Sequence, residues 1–216
     1  MNILKYIFLI LVLSATNALF ASQQDTLFQP SIRFGADLSG FVRNIWERET
    51  LPMEFSVDFE WRKNHFIAAE AGWLNVEVAK ETHEYTAGGY FFRAGADFNI
   101  LERSPEHPND VLLLSLRYGF GKLEHEAPHI IISDPLWGDY QTGIGAETYS
   151  AHWLEAGIGM KSEIFSNVFL GWSLRGRLRV SSTSDPGMEP YRISGFGKSQ
   201  NTTLTFHYSI LYRFPL

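Results

Sequence analysis

Between residues 53 and 61 every second residue is large and apolar and every residue between them is polar: Met53, Phe55, Val57, Phe59 and Trp61 alternate with Glu54, Ser56, Asp58 and Glu60. A strict period of two would scatter both classes around a helix, so the segment predicts a strand with one greasy and one ionic face. The pattern recurs seven more times. Its apolar faces are Ile32, Phe34, Ala36, Leu38 and Val42; Ile67, Ala69, Ala71 and Trp73; Tyr90 through Phe98 to Ile100; Leu112 to Phe120; Leu154 to Met160; Val168 to Val180; and Leu204 to Phe214. The opposite faces carry Arg33 and Asp37, then Glu70, then Arg93 and Asp97, then Arg117, then Glu155 and Lys161, then Arg175, Arg177 and Arg179, and finally His207 and Arg213. In the sixth segment Trp153 falls out of phase with its apolar neighbours, the mark of a bulge.

Alternation alone does not say which face is inside, because a soluble barrel would turn its ions to water. The connections decide. Gaps at 62–65, 101–110 and 162–167 are short or moderate, whereas those at 43–52, 77–86, 122–147 and 181–198 are mostly longer and more polar. Such an asymmetry on an even number of strands predicts an all-β, eight-stranded antiparallel up-and-down transmembrane β-barrel with short periplasmic turns and longer extracellular loops. With both termini on the periplasmic side, Trp73, Tyr90, Tyr118 and Tyr149 fall near the outer ends of their strands. Trp61, Phe98, Phe165, Tyr212 and Phe214 fall near the inner ends, which gives two aromatic girdles.

At the N-terminus Lys5 precedes the apolar run Ile7 to Leu13, followed by small residues up to Ala18 and Ala21. This reads as a signal peptide over 1–21, cleaved after Ala18 or Ala21, ahead of a barrel over 22–216. The run is too short to cross a hydrocarbon core of about 30 Å as a helix. The chain has no cysteine, which excludes disulfides, thiolate nucleophiles, Cys-ligated metals and a lipidated N-terminal cysteine. A formal net charge of −6 speaks against nucleic acid as a partner. No glycine-rich phosphate loop, repeat or linker is present, and no cofactor is expected.

The last strand carries His207, Ser209, Tyr212 and Phe214, that is, a polar residue, a small one two positions later, then two aromatics. With the signal peptide and the dyad strands, these residues give the mature chain a resemblance to the small bacterial outer-membrane β-barrel proteins, in style an uncharacterised Bacteroidetes-type group. The resemblance implies an outer-membrane location, a lipid bilayer as surroundings and recognition of His207, Ser209, Tyr212 and Phe214 by the barrel-assembly machinery. Pro215-Leu216 after the last aromatic, and serine at 209 where glycine is commoner, depart from the pattern.

Eight strands leave an interior just filled by side chains, so a wide aqueous pore is not expected. Acidic inward positions concentrate in the first half of the chain (Asp37, Glu54, Asp58, Glu60, Glu70 and Asp97), with Arg33, Arg62 and Arg93 beside them, and basic ones in the second (Arg117, Lys161, Arg175, Arg177, Arg179 and Arg213), with only Glu155 opposing. Strand heights place Asp37, Asp58, Glu70, Glu155, Arg117 and Arg175 near one level, with Arg93 a little above. A salt-bridged plug of Asp37, Asp58, Glu70, Arg93, Asp97, Arg117, Glu155, Arg175 and Arg177 is therefore expected, structural in role, since unpaired buried charges are costly. The alternative is a narrow channel or ligand-binding barrel, and a soluble periplasmic barrel is a third option.

His207-Tyr208-Ser209 looks like the His-x-Ser pair of the lipid A deacylase barrels, which would imply a lipid-modifying hydrolase. Its position low in the last strand and facing the lumen argues against that chemistry. Ser150 and His152, with Glu155 below, lie nearer the outer end, but such a trio occurs often by chance. In the connection 122–147, Glu124, His125, Glu126, His129, Asp134 and Asp139 lack a metal-ligand spacing and read as a solvated, irregular loop, so no metal is expected. Trp137 and Tyr140 there, and Met188, Pro190, Tyr191 and Phe196 in the connection 181–198, could form an extracellular surface for a ligand or protein, or pack together as a lid.

Overall fold

The computed structural model describes residues 29–40, 50–134, 136, 138–183 and 189–216. The expected signal peptide, Val42, Trp137 and Met188 lie outside the described residues. Eight strands close into a barrel: β1 (Ser31–Asp37), β2 (Thr50–Arg62), β3 (His65–Ala79), β4 (His83–Asn99), β5 (Val111–Asp134), β6 (Gly138–Phe165), β7 (Val168–Thr183) and β10 (Thr202–Pro215). Two short strands, β8 (Arg192–Ile193) and β9 (Gly197–Lys198), pair with each other. Each barrel strand is antiparallel to its neighbours in sequence, and β1 closes the ring on β10 from Ser31↔Pro215 to Asp37↔Ser209. Closure of this kind removes the free edges of β2 and β10 along the stretch that β1 spans.

Both ends of the ring, β1 and β10, begin or finish at the same end as the turns at 63–64 and 166–167. The two turns are built alike. In each, an asparagine takes the left-handed conformation, Asn64 at φ 66° and Asn167 at φ 64°, a region that asparagine tolerates better than most residues. In each, a glutamate four residues earlier accepts the asparagine's backbone N–H, Glu60 at 3.1 Å and Glu163 at 2.7 Å.

At the opposite end two expected loops are corrected. The stretches 77–86 and 122–147 are mostly strand: β3 runs on to Ala79 and meets β4 at His83, while β5 and β6 form an arm that turns only between Asp134 and Gly138. The outward face of β5 changes from Tyr118 and Phe120 to Lys122, Glu124 and Glu126, while Leu123, His125 and Ala127 stay buried. The period of two therefore continues with its sign reversed, which hides it from a search for apolar outer faces. Register shifts between Ala127 and Ile130 accommodate Pro128, which cannot donate to the ladder.

Below that boundary the outside of the barrel is apolar. Phe34, Phe55, Phe92, Leu116 and Phe206 all point outward with about half of their surface exposed. The band runs from Tyr90 on β4 to Ile100 just past its end, about 33 Å along the chain and about 25 Å high once a tilt of about 40° is allowed.

The inside is layered. Phe66, Val111 and Leu113 form a cluster towards the termini, and Phe91, Leu123, Tyr149, Ala151, Trp153, Ile193 and Phe196 form one towards the arm. Trp153 does not break phase: Tyr149, Ala151, Trp153 and Glu155 all face inward on β6. The bulge lies across from it on β7, where His152 pairs with Ser181 but Trp153 with Arg179, leaving Val180 unpaired. The ring of Trp153 occupies the space over Gly119, where a Cβ would overlap Trp153 Cε2.

Candidate functional site

Between the two apolar layers four carboxylates meet four guanidinium groups. Glu70, projecting from β3, is the hub: it contacts Arg175 at 2.8 Å, Arg93 at 3.0 Å and Arg117. Glu155 on β6 takes Arg177 at 2.7 Å, Arg175 at 3.1 Å and Arg93 at 3.3 Å. Asp97 completes Arg117 at 2.8 Å, and Glu54 completes Arg93. Strands β2 to β7 all contribute, so the network spans the lumen. Its charges balance, which matters because a buried ion left without a partner destabilises by about 3–5 kcal/mol.

Asp37 and Asp58 are not brought into this hub. Asp58 pairs with Lys161 at 2.9 Å and Arg33 at 3.7 Å, nearer the termini. The Arg33 guanidinium lies between the rings of Phe66 and Phe169, at 5.1 and 4.8 Å from their centroids. Asp37 lies nearer the arm, where His207 donates Nδ1–H to it at 2.5 Å and accepts at Nε2 from Arg177 at 2.8 Å. Glu54 belongs to the hub although strand counting did not set it at that level; ring closure around the tilted strands, which no single strand encodes, decides it.

Above the ions the segment 189–201 folds back into the barrel mouth. Its β8–β9 turn buries Ile193, Ser194 and Phe196. Phe196 packs edge-on against Trp153, with centroids 5.6 Å apart, and its carbonyl accepts from Arg177 at 2.9 Å. Gly195 makes the seat possible: its φ is +72°, and a Cβ there would overlap the Phe91 ring. Of the residues expected on an outer surface or lid, Phe196 is buried and Tyr191 exposed. Two cavities remain beside the network, of about 60 Å³ and about 30 Å³, with room for only a few waters each.

The expected girdle residues divide. Trp73, Tyr90 and Tyr118 face outward at the arm side of the apolar band, and Phe98, Phe165, Tyr212 and Phe214 at the terminal side. Trp61 stands edge-on to His65. Tyr149 is a correction: it is buried in the lumen and accepts from Arg179 at 3.0 Å, because the inward face of β6 is itself apolar at this height. In β10, His207 points inward, while Tyr212 and Phe214 point outward with ring centroids 4.7 Å apart. Ser209 lies towards the interior, opposite Asp37 on β1 and Gly171 on β7.

Neither catalytic candidate is assembled. His207 is engaged at both ring nitrogens by Asp37 and Arg177. Ser150 bonds Thr183 at 2.7 Å, and His152 bonds Tyr118 at 2.6 Å. Ligand atoms of Asp37, Glu54 and His207 lie within 4.8 Å of one another. His207 Nδ1 faces Asp37 and Arg93 pairs with Glu54, so each of the three groups already has a protein partner. At the base of the arm a cleft of about 660 Å³ is lined by Lys80, His83, Tyr85, Ile130, Ile131 and Tyr191 among others.

From residue 2 to residue 216 the chain matches the family described as a domain of unknown function, DUF6048. The chain belongs to the DUF6048 family. No curated protein matches it. Among solved structures, this DUF6048 chain is similar to a major outer membrane protein of Thermus thermophilus, at 11% identity and a TM-score of 0.51, covering 86% of this chain and 99% of that one. It is also similar to CarO of Acinetobacter baumannii (8% identity, TM-score 0.45, 88% and 100% covered) and to Ail, the attachment invasion locus protein of Yersinia pestis (14%, 0.42, 86% and 97%). The fold of this DUF6048 chain is that of the outer-membrane β-barrel proteins.

Proposed function

We propose that the protein is exported through residues 1–21, is assembled into an outer membrane by way of its β10 signal residues, and serves there as a sealed barrel that presents the β5–β6 arm outside. One observation carries the reading. The barrel is apolar outside over about 25 Å, the hydrocarbon height of such a membrane, while its ions are inside and balanced. A soluble barrel would hold these groups the other way round.

The buried and paired charges support a structural role for the network: it fixes strand register and fills the bore, leaving beside it cavities of only about 60 Å³ and about 30 Å³. Activity then belongs to the outer end, where the arm and its 660 Å³ cleft offer apolar and polar groups to an extracellular ligand or protein. Fractionation with heat-modifiable gel migration tests the reading. The protein is expected in the outer-membrane fraction with a folded form that shifts on boiling; recovery in the soluble periplasm would overturn it.

A further inference from the structure

Ser150 and His152 belong to an outward patch that a sealed interior does not explain, and the bulge at Val180 builds it. By giving β7 one residue more than β6, the bulge turns Ser181 and Thr183 to the outside, a re-aiming that bulges commonly perform. Three rows then align across β5, β6 and β7. Tyr118, Leu154 and Leu178 form the first, Phe120, His152 and Ser181 the second, and Lys122, Ser150 and Thr183 the third. Polarity rises with each row towards the arm.

The polar groups are held in place. The Tyr118 hydroxyl and His152 Nδ1 are 2.6 Å apart, and the imidazole packs on Phe120 with centroids 4.9 Å apart. The contact with Tyr118 uses Nδ1, which leaves Nε2 as the ring nitrogen for a ligand. Ser150 and Thr183 share a hydrogen bond of 2.7 Å, and Lys122 has no ion pair among the described residues. Three strands at about 4.8 Å spacing make this donor row about 10 Å wide.

We propose that the patch binds a phosphate-bearing lipid of the outer leaflet, with its phosphate on Lys122, Ser150, Thr183 and His152 and its acyl chains over Leu154, Leu178 and Val180. The inference rests on the reading that the outward face meets lipid. The sign of the charge selects an anion: the patch offers an ammonium and several donors, and Glu124 stands one row further out. The adjoining sector is the reverse, with Glu77, Thr86 and Glu126 aligned across β3, β4 and β5 and no cation in the row.

Native mass spectrometry of the folded full chain in detergent, with dioctanoyl phosphatidic acid, dioctanoylglycerol and inorganic phosphate as probes, tests the proposal. Phosphatidic acid is expected to bind one to one and about tenfold more tightly than the diacylglycerol, with phosphate alone weaker than the lipid. Lys122→Gln should reduce the phosphatidic acid affinity about tenfold, the scale of one charge-assisted contact, and the Ser150→Ala, Thr183→Val double variant about threefold. Lys63→Gln, at the opposite end of the barrel, should leave it unchanged. Equal binding of the two lipids, wild-type affinity in Lys122→Gln, or inorganic phosphate bound as tightly as the lipid would overturn it. Heat-modifiable migration of each variant separates the failures: a folded membrane barrel without phosphate selectivity ends this inference alone, whereas a chain without membrane association ends the reading beneath it.

Discussion

Arg175 Nη1 lies 2.8 Å from Glu70 Oε2 although the two residues are 105 positions apart in sequence. They come from β7 and β3, which share no backbone ladder, so the contact exists only once the ring is closed. A network of such contacts reads out whether all eight strands have found their register.

The hub therefore sets an order of damage. Glu70→Gln strips one partner from each of three arginines, while Arg175→Met leaves Glu70 and Glu155 with their other arginines. Both variants are expected to lower the temperature at which the folded gel band is lost, Glu70→Gln by more. The penalty for Arg175→Met should stay below the about 3–5 kcal/mol seen when a buried charge loses its last partner. The reverse order would remove Glu70 from the centre of the network.

A charge placed on the outward face should be costly only within the apolar band. Leu116 and Ile132 are both on β5 and about equally exposed, one in the middle of the band and the other on the arm. Leu116→Arg is expected to destabilise the folded form in bilayers by about 2–4 kcal/mol and Ile132→Arg by about 0–1 kcal/mol. Urea titration in liposomes measures both.

Gly195→Val adds a side chain where φ is +72° and Phe91 already fills the space. The β8–β9 turn is then unable to seat, and limited proteolysis should cut within 189–201. The barrel below should keep its heat-modifiable migration, because β7 and β10 pair without this segment.

The terminal-end turns predict opposite results for two substitutions at one site. Asn64→Gly and Asn167→Gly keep the left-handed backbone available and should change stability little. Asn64→Val and Asn167→Val should each lower it by about 1–2 kcal/mol, the steric penalty for a β-branched residue there. Thermal loss of the folded band measures the difference.

The barrel itself was legible because the period of two is imposed by the backbone and its apolar phase by the surroundings. The arm was not, because beyond Phe120 the outward face carries Lys122, Glu124 and Glu126 and the rule for choosing a face reverses. Tyr149 and Trp153 escape a reading of the sequence for a related reason: an apolar side chain in an otherwise ionic face looks outward or out of phase, yet both pack in the lumen against the returning turn. Sequence places the ions on one face of each strand, but the pairing of Glu54 with Arg93, and of Asp37 with His207 rather than with the hub, depends on tilt and closure. Two-residue strands such as β8 and β9 carry no period at all.

The most direct test uses two single-tryptophan chains, each with the other five of the six tryptophans replaced by phenylalanine. Trp172 faces outward, and Trp153 is fully buried in the lumen. In liposomes, Trp172 fluorescence should be quenched by brominated lipid and little by aqueous acrylamide, and Trp153 by neither. Acrylamide quenching of Trp153 would contradict a sealed interior, and acrylamide quenching of Trp172 without quenching by brominated lipid would contradict the membrane-spanning barrel.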